Sequence, residues 1–429
     1  MILKNLRKYL KSNKLIYSVY TKCKRTLFSS NVSYEIPEIE AINPRIIHCE
    51  YNNPRINILL PSLNRQHVFG GIATALKFFE DLGNDTNLDM RIILTDSDIE
   101  EKNYIGLNGY SIISAREEVY DKKQIVSFAN RYKETIPVAP NDIFIATGWW
   151  TAYAITDVIE WQARTYNKKL GQLIYFIQDY EPGFYPWSSR YLMSENTYCL
   201  DIPTVAIFNS KLLQDFFTNN GYKFYKQYFF EPILNRQLKE YLLCRMNKVE
   251  RKNQIIVYGR PTVQRNAFEL IILALKQWAT TLSNSEEWKV YSVGEEHADI
   301  MLGENLRLVS LGKLTLEQYA RTMLQTKIAI SLMVSPHPSY PPLEMATFGI
   351  KTITNEYHNK DLGSFNDNII SLKNCSPRAI SQQLVQLCND PYLKNDVILN
   401  EQYLGADNGI EEIIKQLSKD ILEYDRTTL

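Results

Sequence analysis

Cysteine is scarce and unpatterned. The 429-residue chain has six, at Cys23, Cys49, Cys199, Cys244, Cys375 and Cys388. No CxxC pair or Cys/His cluster occurs, which argues against a zinc site, and few scattered thiols in a long chain fit a reducing compartment. Long apolar runs are also missing. Ile328 to Val334 is among the longest, and Ser331 already breaks it, so nothing approaches the ~20 residues of a membrane-spanning helix. Neither a GxGxxG dinucleotide fingerprint nor a P-loop is present. A charge excess is lacking too: 48 Lys+Arg balance 48 Asp+Glu. Nucleic acid is therefore not expected as a partner, since its binders carry a basic surplus. With 45% hydrophobic and 22% charged residues, the composition is that of a folded chain, not a disordered one. Tyrosine, at 28 residues, is plentiful and suits wet clefts and interfaces.

The balance hides an asymmetry. Lys4, Arg7, Lys8, Lys11, Lys14, Lys22, Lys24 and Arg25 give residues 1–30 a charge of +8 with no acid, leaving −8 for the rest. Leu3, Leu6, Leu10, Ile16 and Val19 alternate with these bases at roughly helical spacing. A basic amphipathic helical arm suits an anionic membrane surface; a basic arm folded on the acidic body is the other reading. Bases interrupt each apolar stretch, so a secretory signal is not expected. The expected location is cytoplasmic, peripheral on the inner face of the plasma membrane.

Short β-branched runs alternate with helical patterns. The runs are Ile56–Leu60, Met90–Leu94, Tyr110–Ile113, Asp142–Ala146, Leu173–Ile177 and Thr204–Phe208, then Gln254–Tyr258, Trp288–Val293, Leu306–Ser310, Ile328–Val334, Lys351–Thr354 and Asn368–Leu372. Such alternation implies βαβ units and parallel sheets, and twelve runs are too many for one typical sheet. The charged stretch Glu240–Asn253 divides them. The expected fold class is α/β, with two Rossmann-like domains facing an interdomain cleft. The expected boundaries are an arm and linker at 1–50, a first domain at 51–245, a second at 246–405, and a helix at 406–429 packing back on the first domain.

Candidate site residues fall where strands run into helices, the ligand-binding ends of parallel sheets. Gly70 and Gly71 precede a helix whose N-terminus offers free N–H groups to a diphosphate or to sugar hydroxyls. His67 in the same loop reads equally as a polar contact to the acceptor or as a surface residue. Gly259-Arg260 ends a strand, with Arg265 five residues on; a pair of guanidinium forks makes an anion clamp. Lys313 precedes a capping-box pattern, Thr315 and Gln318. The loop Ser335 to Pro342 leads into a helix opening at Leu343, which puts Glu344 in a first turn. The loop Gln178-Asp179-Tyr180-Glu181-Pro182-Gly183-Phe184-Tyr185-Pro186-Trp187 combines carboxylates with aromatic faces, as a carbohydrate acceptor needs. Asp179 and Glu181 are candidates for a base or hydroxyl anchor; Tyr180, Tyr185 and Trp187 are candidate acceptor contacts. Trp149, Trp150 and Tyr153 could line the same cleft.

The Gly-Gly loop, Gly259-Arg260 with Arg265, and Leu343-Glu344-Met345-Ala346 before Gly349 resemble retaining glycosyltransferases of family four, with the GT-B fold. Tyr175–Trp187, Tyr258–Arg260, Leu311–Lys313 and Ser335–Glu344 are similar, more narrowly, to rhamnosyltransferases of the WsaF type. The resemblance implies transfer of a sugar, from dTDP-L-rhamnose, onto a polysaccharide or lipid-linked glycan acceptor, without metal or cofactor. It implies that Arg260, Arg265 and Lys313 bind the donor diphosphate, and that Glu344, Tyr340 and Leu343 meet the donor sugar or nucleoside. The wider family has two glutamates eight positions apart; the first falls on Pro336 here. A sugar-nucleotide epimerase of the two-Rossmann type and a non-catalytic glycan-binding subunit remain alternatives.

Overall fold

The computed structural model describes residues 36, 45–65, 68, 70–100, 102–115, 117, 121–129, 134–246, 249–405 and 408–428. Residues 1–30 and His67 lie outside them. The described strands are β1 Arg45–His48, β2 Arg55–Leu60, β3 Asp89–Leu94, β4 Ser111–Ser114, β5 Lys123–Ser127, β6 Thr135–Val138, β7 Asp142–Ala146, β8 Leu173–Ile177, β9 Thr204–Phe208 and β10 Lys226–Phe229. The second half adds β11 Lys252–Gly259, β12 Lys289–Gly294, β13 Ile300–Met301, β14 Arg307–Ser310, β15 Thr326–Ile330, β16 Lys351–Asn355 and β17 Ile369–Leu372. The helices are α1 Gly71–Thr86, α2 Trp149–Thr165, α3 Ser189–Asn196, α4 Lys211–Asn219, α5 Arg236–Arg245, α6 Phe268–Thr281, α7 Leu316–Gln325, α8 Tyr340–Thr347, α9 Pro377–Asn389 and α10 Ile410–Thr428.

Eight parallel strands form the first sheet in the order β10-β9-β8-β7-β2-β3-β5-β4. The second sheet runs β13-β14-β12-β11-β15-β16-β17, with only the edge strand β13 antiparallel. Parallel sheets covered on both faces require strands apolar on both sides. In β2 the period of two is visible: Ile56, Ile58 and Leu60 enter the core under α1 and α10, while Leu59 enters the opposite core with Phe144 and α2. Asn57, between them, takes the Arg91 Nε–H at 2.6 Å. In α1, Ala75, Phe78, Phe79 and Leu82 are buried at helical spacing, and Asn87 in the left-handed region ends the helix. The predicted capping box opens α7: Thr315 Oγ1 accepts from the Gln318 N–H, and the Thr315 N–H donates back to Gln318 Oε1.

The charged stretch 240–253 is not all linker. Its first part is the end of α5, whose Leu238 and Leu242 are buried with Ile256, Ala320 and Leu324 of the second sheet's core. The helix is amphipathic, so its charged face disguised an apolar one. The chain thus passes between the two bodies near residues 230–234: Phe230 belongs to the first core and Leu234 to the second. It passes back beside this outgoing segment. The Leu234 N–H donates to Tyr403 O at 2.8 Å and the Glu231 N–H to Asn408 O at 3.0 Å. Beyond that crossing, Ile410, Ile413, Ile414, Leu417 and Ile421 of α10 join the core of the first sheet. Burying such side chains contributes about 1.5–3 kcal/mol each, which ties the chain's end to its first body.

Candidate functional site

A cleft of about 790 Å³ opens between the carboxyl ends of the two sheets. The first body lines it with Pro61, Gly70, Gly71, Thr147, Trp150, Gln178, Asp179, Glu181, Phe184 and Asn209. The second lines it with Tyr258, Arg260, Arg265, Gly294, Glu295, Lys313, Tyr319, Met333, His337, Ser339 and Tyr340, among others. These positions follow β2, β7, β8, β9, β11, β12, β14 and β15.

Two features favour an anion. Gly70 holds φ +53, and no side chain caps the α1 N-terminus; a Cβ on Gly71 would stand 2.4 Å from Gln178 Oε1. The helix end therefore meets the cleft as bare backbone, with free N–H groups and the positive end of the dipole. Across from it, β11 and β12 end in register on Gly259 and Gly294. Gly294 has φ +134, and a Cβ there would meet Gly259 O at 2.6 Å, so only glycine fits. The cations Arg260, Arg265 and Lys313 stand at this floor. Arg260 Nε lies 3.3 Å from Glu295 Oε1, and Glu295 also accepts from the Thr262 N–H and hydroxyl. Glu295 itself was not foreseen; its place beside a strand-end glycine was the available signal.

The carboxylates differ from expectation in their surroundings. Asp179, 8% exposed, accepts the Ser335 hydroxyl and the Tyr180 N–H at 2.8 Å. Its Oδ2 is 3.4 Å from Arg265 Nε. Glu181 is buried and accepts the Trp149 N–H at 2.5 Å and the Tyr175 hydroxyl at 3.4 Å. Burial pushes its carboxyl up to about 8, only partly offset by the Trp149 N–H; at neutral pH it holds a proton and is no ready base. The sign for stability follows from linkage. A folded-state value raised from 4.5 to about 8 gives a contribution that is complete below pH 4.5 and lost as the pH rises through 8. The midpoint of thermal unfolding in Glu181→Gln should accordingly fall less than wild type between pH 5 and 8, roughly the window set by that shift. Parallel curves would contradict the protonated acid.

Glu344 sits one turn later than expected. The helix α8 opens at Tyr340, because Pro341 and Pro342 are tolerated in a first turn. Glu344 is half-buried and does not itself line the cleft. It lies among Tyr258, Tyr319, Tyr340 and Tyr403, the first three of which do line it. Burial raises its carboxyl to about 7, opposed by the Tyr319 hydroxyl. Leu343 is fully buried in the second core beside Ile256 and Ala320 and does not line the cleft.

The aromatic loop splits in two. Phe184 faces the cleft, and the Arg265 guanidinium lies over its ring at 4.3 Å. Tyr180 turns the other way, against Tyr198, Phe216 and Phe217, with its hydroxyl among Tyr191, Glu195 and Tyr222. Tyr185 receives the Trp149 indole N–H at 2.9 Å. Trp187 is 91% exposed and stacks on Tyr191 outside the cleft. Trp149 is fully buried, whereas Trp150 lines the cleft and Tyr153 does not. His337 lies in the loop between Ser335 and Pro342. It lines the cleft, its Nδ1 accepts the Ser339 N–H at 2.9 Å, and burial holds it down at about 4. Ser339 carries φ +66 there, a costly conformation for a side-chain-bearing residue.

One Asp-x-Asp pattern, Asp96-Ser97-Asp98, follows β3, but Asp96 accepts from Thr95 and Asp98 from Ser127. Among the described residues no group of three or more His, Cys, Asp or Glu side chains could hold a metal ion. No helix among them is long and apolar enough to cross a membrane.

Two facing parallel α/β sheets with a basic, glycine-lined cleft define a protein of the GT-B glycosyltransferase class. Comparisons agree on the fold. The sucrose-phosphate synthase of Thermosynechococcus elongatus superposes with a TM-score of 0.56 at 11% identity, covering 86% of this chain and 100% of that one. Trehalose-6-phosphate synthase OtsA gives 0.50 at 9%, covering 86% and 99%. At such identities the likeness is one of fold alone. In sequence, the model of the WsaF N-terminal domain matches residues 55–211 and that of the WsaF C-terminal domain residues 253–385. The chain belongs to the WsaF family of glycosyltransferases. It is also 29% identical over 227 residues to the O-antigen biosynthesis protein RfbC of Myxococcus xanthus, a match covering 53% of this chain and 16% of that protein's length.

Proposed function

We propose that the protein transfers L-rhamnose from dTDP-L-rhamnose onto a growing cell-surface polysaccharide, without a metal ion and with retention at the anomeric carbon. The gathering of Arg260, Arg265 and Lys313 at strand ends, opposite the bare N-terminus of α1, carries this reading. Family membership and the likeness to RfbC support a role in polysaccharide assembly.

As the glycosidic bond breaks, negative charge grows on the leaving diphosphate. Preorganised cations and N–H dipoles at that point stabilise the transition state more than the ground state. The second body holds the donor, with Tyr258, Tyr319 and Tyr340 between the ligand and Glu344. The first body receives the acceptor, with Phe184 and Trp150 as ring faces and Glu181 as a hydroxyl partner. The leaving phosphate assists deprotonation of the acceptor hydroxyl, which attacks from the same face. This fits two carboxyls that are not free to act as bases: Asp179 is engaged across the cleft and Glu181 holds its proton.

A thermal-shift panel of nucleoside diphosphates and their sugars tests the donor. dTDP and dTDP-rhamnose should raise the unfolding midpoint selectively, because a ligand bound only by the folded state stabilises it. A rise with UDP species alone would replace the donor, and no rise with any member would overturn the reading.

A further inference from the structure

Arg265 belongs to the second body, yet its guanidinium is held by the first. Phe184 lies against one face, with the Arg265 Cζ 4.3 Å from the ring centroid. Asp179 Oδ2 lies 3.4 Å from Arg265 Nε. Both come from the loop after β8, in the first body. The same Asp179 carboxylate accepts the Ser335 hydroxyl from the loop after β15 in the second body. Ser335 Oγ accepts in turn from the His337 N–H at 3.0 Å, and the Arg265 carbonyl accepts from the Val334 N–H at 2.7 Å. One carboxylate therefore joins three parts of the cleft: the aromatic loop, the Arg265 loop and the His337 loop.

The surroundings leave this carboxylate little freedom. It is nearly buried, and the charged or titratable groups facing its loop are Arg265, Lys360, His337 and Tyr357 from the second body and Glu181 from its own. Lys360 is itself fully buried and donates to Met333 O at 2.5 Å, so it is committed to the backbone. A buried carboxylate spanning two bodies keeps its partners only while the bodies are together. Apart, Asp179 and Arg265 would each return to water, and the arginine would regain its side-chain freedom.

We propose that Asp179 is a positioning residue, a clasp that orients Arg265 toward the donor diphosphate only when the two bodies close. Closure then completes the anion site, so that the charge-stabilising groups assemble around a bound donor and water is excluded at the same moment. This inference rests on the donor reading above, but it fails separately from it.

Donor kcat/KM, dTDP affinity and the pH profile of transfer for wild type, Asp179→Asn, Arg265→Ala and the double variant decide between the two. Wild type must bind dTDP and transfer; if it does neither, the functional reading itself falls. With wild type active, Asp179→Asn should lower donor kcat/KM about 100-fold, the scale of a misplaced catalytic group. The double variant should be no worse than Arg265→Ala, because the aspartate acts through the arginine. The acid limb of the pH profile should stay where it was. Losses that multiply in the double variant, a lost acid limb, or an unchanged Asp179→Asn would overturn the clasp. Ser335→Ala removes the other half of the bridge without touching a charge; it should give a smaller loss of the same kind, and no loss would count against the proposal.

Discussion

Arg260→Ala lowers donor kcat/KM by roughly three orders of magnitude, about 4 kcal/mol, the scale of losing one preorganised group at a developing negative charge. The same substitution leaves the unfolding midpoint nearly unchanged. Arg260 pairs with Glu295 at 3.3 Å, and both side chains are partly exposed; such pairs contribute about 0–1 kcal/mol. Arg260→Lys keeps the charge but loses the planar fork that spans two phosphate oxygens, so recovery should be only partial. Steady-state kinetics beside a thermal melt separates the two effects. Full turnover by Arg260→Ala would remove the arginine from the site.

Asp142→Ala acts in the opposite way, on the fold and not on the chemistry. Asp142 opens β7, Arg55 opens β2, and Arg91 lies early in β3, at the end of the first sheet away from the cleft. Asp142 Oδ1 meets Arg55 Nε at 2.8 Å, and Oδ2 meets Arg55 Nη2 at 2.9 Å and Arg91 Nη2 at 3.2 Å. The Ala139 N–H and Gln124 complete the cluster. Burial pushes the Asp142 carboxyl upward, but Arg55 and Arg91 outweigh it and hold it below its usual value. Burial and the neighbouring Arg55 bring Arg91 down to about 9. Removing the carboxylate leaves two guanidinium groups facing each other in an apolar core, at a cost of about 3–5 kcal/mol. Denaturant unfolding should show that loss, with the remaining folded fraction still binding dTDP. For the wild type, a depressed folded-state value means the contribution is present above the unfolded pKa and lost as the pH falls through the folded one.

Much of this architecture was legible because both sheets are parallel and covered. Runs such as Leu173–Ile177 and Thr204–Phe208 are apolar on both faces and became β8 and β9 with the predicted bounds. Strands with polar positions escaped: β5 is Lys-Gln-Ile-Val-Ser and β10 is Lys-Gln-Tyr-Phe, the latter at a sheet edge. The run Ile328–Val334 stops at Ile330, since Asn355 bonds the backbone of Met333 with its side chain in place of the ladder. The strand-end placement of the candidate residues Arg260, Lys313 and Gly71 was readable because chain order fixes which end they occupy. The facing of a side chain was not. Tyr180 and Phe184 are four residues apart in one loop, yet one enters a core and the other the cleft. Nor could a sequence pair Asp179 with Ser335, 156 residues on; such a contact exists only once two domains have come together.

The central claim is that a nucleoside diphosphate lies between the two sheets with its phosphates on the basic floor. A crystal structure of the protein with dTDP tests it most directly. The account predicts phosphate oxygens within hydrogen-bond distance of Arg260 and Lys313, beside Gly294, with Arg265 still held between Phe184 and Asp179. Phosphates bound elsewhere, or in the cleft but away from both cations, would contradict it.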